Sequence, residues 1–275
     1  MTRVAIVGTS QVAALKQAWD AIGAHHPRHQ VSFFAVPMPT YRKLRLNDRL
    51  VFGLTEAQIR KYPKAARVVR HINRATAIDL SGMDRVILSG HNWPQVAAAA
   101  LAAGFDIEGV REAGSPQLMS RQAFDAICDD LAERTLPDPV WRDWSGPPIA
   151  MQALPLPAES CLASGGGRFA SWQAISARPA GSDAVFDLVL DAYEAALRRV
   201  GITLLRQPAE TRVPSGLTAA EHSRGSRRLR RPDREAVQHP DTDAWHMNAS
   251  YGALCFAAIF SWLDPTTVGT PAPIS

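Results

Sequence analysis

Cysteine is scarce and scattered. The three in 275 residues, Cys128, Cys161 and Cys255, are odd in number and form no C-x-x-C pair. That excludes a disulfide framework and a thiolate zinc site, and leaves reduced core thiols. Long apolar runs are lacking as well. The first, Val4 to Val7, is too short for a signal core or a membrane span, so the expected location is cytoplasmic with no membrane partner. Aromatic residues are only 7% of the chain, and none interleaves with the arginines between Arg224 and Arg234. The formal charge of +4 is the small difference between 30 basic and 26 acidic side chains, so nucleic acid is not an expected partner. Gly165 to Gly167 is followed by Arg168 rather than Lys-Ser/Thr, which excludes a phosphate loop. His25, His26 and His29 have no further ligands nearby that would complete a zinc site. No metal and no cofactor is expected.

What the chain does have is 46% hydrophobic content, enough for one sizeable core. One domain is expected over residues 1–264, followed by a small, proline-rich tail over 265–275. Arg3 to Val7, ending at Gly8, reads as a strand, and Val12, Leu15, Ala18, Trp19 and Ile22 then recur at helical spacing. Further short strands are expected at Val31–Val36, Val86–Ser89, 148–154 and Ile202–Leu205, and the strand-loop-helix pattern recurs at Val86–Ser89. Helices are expected from Thr55 to about His71, Pro94 to Ala103, about Gln117 to Glu133, Asp183 to Val200, and about Asn248 to Trp262. Alternation of this kind builds an α/β fold with an open, mainly parallel sheet of about five strands and helices on both faces. Ligands bind such sheets beyond the carboxyl ends of the strands.

Those ends carry chemically complementary groups: Ser10 after the first strand, Asn92 after the third, Asp243 and His246 after the fifth. Serine attack needs a base, an acid that orients the base, and donors for the oxyanion. Each residue also has a plainer use. Ser10, Asn92 and Asp243 are all common helix caps, and His246 sits between Trp245 and Met247 like a core histidine. Only their joint placement favours chemistry.

Through Val7-Gly8-Thr9-Ser10, Gly90-His91-Asn92 and Asp243-Ala-Trp-His246, in that order, the chain resembles the SGNH/GDSL hydrolase superfamily. The resemblance implies a three-layer α/β/α sandwich with a flavodoxin-like sheet. It implies Ser10 as nucleophile, His246 as general base and later acid, and Asp243 as the orienting carboxylate. The oxyanion would be held by the Ser10 N–H, Asn92 and a middle glycine, for which Gly53 is the candidate. Thr9 stands where the family has Asp, and Trp93 follows Asn92 where it has Asp again. Trp93 and Trp245 flank these residues and are candidate walls of an acyl pocket. The expected substrate is an ester, O-acyl on a small molecule or carbohydrate. The arginines between Arg224 and Arg234 suit either a solvated loop or an anionic acyl donor such as a coenzyme A thioester. Two alternatives stay open: an acyltransferase that passes the group to a sugar or polyol, and a binding protein that keeps the fold without catalysis.

Overall fold

Five short apolar segments form the central sheet of the computed structural model, which describes residues 1–163, 167–229 and 237–264. They are β1 (Thr2–Gly8), β2 (His29–Ala35), β3 (Arg85–Ser89), β4 (Ile149–Gln152) and β5 (Ile202–Leu205). Every pairing is parallel, in the order β5-β4-β3-β1-β2. This is the flavodoxin-like order, whose strand direction of travel reverses between β1 and β3. β1 and β3 lie at the centre with both faces covered, which is why Val4 to Val7 and Val86 to Leu88 are unbroken apolar runs, all 0% exposed.

Successive side chains leave a strand on opposite faces, and the two cores divide accordingly. Val4, Ile6 and Ile87 pack with α1 (Val12–Ile22) and the carboxyl-terminal helix (Ala249–Leu263). Ala5, Val7, Val86 and Leu88 pack on the other side with helices Gln95–Gly104 and Ser182–Arg199. The result is the three-layer α/β/α sandwich. Each fully buried Leu, Ile or Phe in these layers stabilises it by roughly 1.5–3 kcal/mol.

The expected helix from Thr55 to His71 is two helices, Glu56–Lys61 and Pro63–Asn73. The residue before a proline is pushed out of the helical region, and Tyr62 accordingly lies at φ −127° and ψ 62°. Around them is a small antiparallel sheet of Arg45–Leu46, Val51–Gly53 and Ala77–Asp79, which the sequence pattern does not announce. All three cysteines are free and buried. Burial pushes the Cys128 and Cys255 thiols up to about 12 and Cys161 to about 11, so none is a reactive thiolate. No helix among the described residues is long and apolar enough to cross a membrane. The tail over 265–275 lies outside the described residues.

Candidate active site

Ser10 sits in the turn between β1 and α1, at the point where the strand order reverses. Its plainer use, capping α1, does not occur. Gln11 is the cap residue and no side chain bonds to the free amides of that helix end. The Ser10 hydroxyl instead lies 2.9 Å from Nε2 of His246. Across the same ring, Nδ1 of His246 is 2.9 Å from Oδ2 of Asp243. With Nδ1 donating to the carboxylate, Nε2 is left to accept the serine proton, a tautomer assigned from these partners.

The Asp-x-x-His spacing works because the carboxylate has two tasks. Oδ1 accepts the backbone N–H groups of Trp245 at 2.9 Å and His246 at 3.1 Å, which tightens the loop and leaves Oδ2 for the ring. Burial alone would raise the Asp243 pKa; the bonds from His246 and Trp245 and the nearby histidines outweigh it, and the carboxyl is held well below its usual range. The loop then enters the carboxyl-terminal helix, whose first turn is capped by the Asn248 side chain accepting from the Tyr251 N–H at 3.1 Å.

That helix lies hard against α1. A Cβ on Gly252 would stand 2.2 Å from the Ala14 carbonyl oxygen, so only glycine allows this approach. The two helices carry Ser10 and His246 at their amino ends, and their packing fixes the distance between these two side chains. Gly90 serves the third strand end in the same way. Its φ is +84°, and a Cβ there would meet Thr9 Oγ1 at 2.0 Å, so the loop after β3 can turn close beside the serine loop.

Ser10 and Asn92 share a cleft of about 530 Å³ with Met38, Leu131, Leu154 and Trp245. The Asn92 side chain is exposed and bonds to no described residue. The helix that follows it is capped by Pro94 without a side-chain bond, so Asn92 is not a cap either. The Ser10 N–H likewise meets no acceptor among the described residues, and it points from a helix start, where negative charge is favoured. Two donors are therefore available in the cleft.

Trp93 and Trp245 both line it. Trp93 is buried, with its ring N–H on the Leu154 carbonyl at 2.8 Å, so it packs as well as walls. Trp245 is half-buried and stacks on Phe169 at 5.7 Å. Gly53 is not brought to the cleft. It pairs with Arg45 and Ala77 in the small antiparallel sheet, where a Cβ would lie 2.4 Å from the Ala77 Cα, so close strand packing accounts for this glycine. Of the arginine cluster, Arg224, Arg227 and Arg228 are described, while Arg230, Arg231 and Arg234 lie outside the described residues, as do residues 164–166.

The sequence reading missed His239. Its Nδ1 is 3.0 Å from the same Asp243 Oδ2 that receives His246, and the two imidazoles stack with centroids 4.0 Å apart. The signal was present, since His239, Asp243 and His246 fall within eight residues. Their ligand atoms lie within 4.8 Å of one another, a possible set for a metal ion. Both ring nitrogens already converge on one carboxylate oxygen, so an ion there would displace the bond that orients His246.

No protein-family model matches the chain, and no curated protein matches it. Among solved structures, a carbohydrate acetylesterase family member from Sinorhizobium meliloti aligns over 96% of this chain and 98% of its own, at 11% identity and a TM-score of 0.37. A DUF4886 family protein from Bacteroides uniformis aligns over 100% of this chain and 88% of its own, at 11% identity and a TM-score of 0.41. Likenesses this distant assign no residue a role.

Proposed function

We propose that this protein is a serine acyl-hydrolase of the SGNH/GDSL type, cleaving an O-acyl ester of a small molecule or carbohydrate through an acyl-Ser10 intermediate. The observation that carries the reading is the unbroken path from the Ser10 hydroxyl through His246 to Asp243, with both links at 2.9 Å and the serine open to a cleft. A serine kept only as a helix cap has no reason to make it, and a fold retained only for binding has no use for it.

The chemistry follows from the donors and acceptors. Ser10 Oγ attacks the acyl carbon while its proton passes to His246 Nε2, and Asp243 stabilises the resulting imidazolium. The carbonyl oxygen takes the negative charge and is met by the Asn92 amide and the Ser10 N–H. Collapse breaks the ester bond, and the leaving alcohol takes the proton from His246. A water molecule, deprotonated by the same ring, then releases the acid and restores the serine. Leu131, Leu154 and Val96 give the cleft an apolar wall suited to the acyl group.

Transfer to a sugar or polyol shares every step up to the acyl-enzyme and differs only in which hydroxyl enters next. Incubation with p-nitrophenyl acetate and with O-acetylated sugars, followed by product analysis with and without alcohol acceptors, tests the proposal. Release of acetate by the wild-type protein and its loss in Ser10→Ala are expected. A folded wild-type protein that turns over none of these esters, and is equally inert with acceptors present, contradicts it.

A further inference from the structure

One buried titratable group touches this site and takes no part in the chemistry above. His239 is 9% exposed, and its Nδ1 faces Asp243 Oδ2 at 3.0 Å. Its ring lies nearly parallel to that of His246, at 10° with centroids 4.0 Å apart. Oδ2 thus accepts from His246 Nδ1 and has His239 Nδ1 at ion-pair distance beside it, while Oδ1 accepts two backbone N–H groups. His239 is itself anchored from behind. Its N–H donates to the Ser226 carbonyl at 2.8 Å, and the Arg228 N–H donates to Val237 at 2.9 Å, so residues 226–228 grip 237–239.

We propose that His239 is a positioning residue for the acyl-transfer reaction: it flanks Asp243 Oδ2 alongside His246 and supports the His246 ring face to face, making a branched His-Asp-His arrangement. This rests on the serine mechanism proposed above. With Oδ1 tied to two backbone N–H groups, Oδ2 can still shift on the soft terminal torsion of the carboxylate. A second ring nitrogen at 3.0 Å from the same oxygen limits the movement of Oδ2 away from His246 Nδ1, and the stacked ring limits rotation of His246 away from Ser10. The groups that face His239 are His246 and Asp243 on its own loop and Arg228 on the opposing segment. Burial first, and then His246, push the His239 pKa below the ordinary imidazole value, so near neutrality it is an uncharged donor that adds no repulsion when His246 gains the serine proton.

Two substitutions separate its contributions. Asn places an amide N–H about where Nδ1 stands, and Phe keeps the stacked ring without the donor. With p-nitrophenyl acetate, His239→Phe is expected to lose about 10- to 100-fold in kcat at unchanged KM, the order of loss when a partner that orients a metal-bound histidine is removed. Its acid limb is expected to move to higher pH, because a carboxylate relieved of one donor holds the His246 imidazolium more tightly. His239→Asn is expected to recover most of the rate with the limb where the wild type has it. Equal rates and unmoved limbs in both variants overturn the proposal, as does an equal loss in both with unmoved limbs, which is what a merely structural anchor gives. If His239→Phe does not fold, the wild-type protein still decides: two strongly downfield ring N–H proton resonances, both lost in Asp243→Asn, are expected, and a single one overturns the proposal. Fluorophosphonate labelling of wild-type Ser10 keeps the questions apart. Without labelling the serine mechanism fails; with labelling and unaltered variants, only the role of His239 fails.

Discussion

Asn92 offers the sharpest separation of catalysis from stability. Its side chain is exposed, lines the cleft beside Ser10 and bonds to no described residue, so truncation to alanine opens no buried cavity and strands no polar partner. Substitutions at such positions change stability by no more than about 0.5 kcal/mol, or roughly 1–2 °C in Tm for a chain of this size. If the amide meets the oxyanion, its loss falls on the transition state alone. Removal of one such donor costs about 100- to 1,000-fold in kcat, equivalent to about 2.7–4 kcal/mol. Asn92→Ala should therefore show a near-native thermal melt, a KM close to wild type and a kcat lower by that factor, measured by stopped-flow release of p-nitrophenol. The acyl-enzyme should still form, slowly, and intact mass spectrometry should find it. A folded Asn92→Ala with wild-type kcat refutes the reasoning, since the group could not then be facing the developing charge.

Three further outcomes follow from the packing and the charges. Gly252→Ala drives a Cβ to 2.2 Å from the Ala14 carbonyl, which is backbone and cannot move aside cheaply. The expected cost is about 1–3 kcal/mol in a urea melt together with a loss of activity, because the helices that carry Ser10 and His246 are forced apart; a stable, fully active variant contradicts it. Asp243 is held ionised well below the usual carboxylate range, so the stability it contributes is present above its unfolded pKa of about 3.9 and is lost only as pH falls through its lower folded value. Asp243 therefore stays ionised between about pH 7 and 4, and urea midpoints of the wild type and Asp243→Asn are expected to differ by a constant amount across that window; a difference that shrinks well above pH 4 contradicts it. His91, whose Nε2 meets the Tyr41 hydroxyl at 2.8 Å, has its pKa drawn down to about 4 by burial. The unfolded chain takes up that proton from about pH 6.5 downward and the folded protein does not, so stability present above pH 6.5 declines toward pH 4 by up to about 1.4 kcal/mol per unit. Urea midpoints should show that decline in the wild type and a shallower one in His91→Gln; identical slopes refute it.

The sequence revealed what local pattern can reveal. β1 and β3 are apolar throughout because both their faces are covered, and that same burial made Val4–Val7 and Val86–Leu88 stand out as strands. The convergence of Ser10, Asn92, Asp243 and His246 was legible because strand ends in a parallel sheet meet along one edge whatever the side chains between them. Gly53 misled because a glycine needed to pack a strand against Ala77 looks, in sequence, like one that frees a backbone N–H for a ligand. The helix across Tyr62 hid its break because apolar spacing continues through Pro63 while the backbone does not. His239 was passed over because its partner is a carboxylate already assigned to another histidine, and such sharing depends on how residues 226–228 fold back on 237–239.

The central claim is that Ser10 is the nucleophile, and covalent capture tests it most directly. A fluorophosphonate probe should add its mass to the wild-type protein, with peptide mapping placing it on Ser10, and should fail to label Ser10→Ala or to do so at speed in His246→Ala. A correctly folded wild-type protein that remains unmodified, or one modified at another serine with Ser10 free, would contradict it.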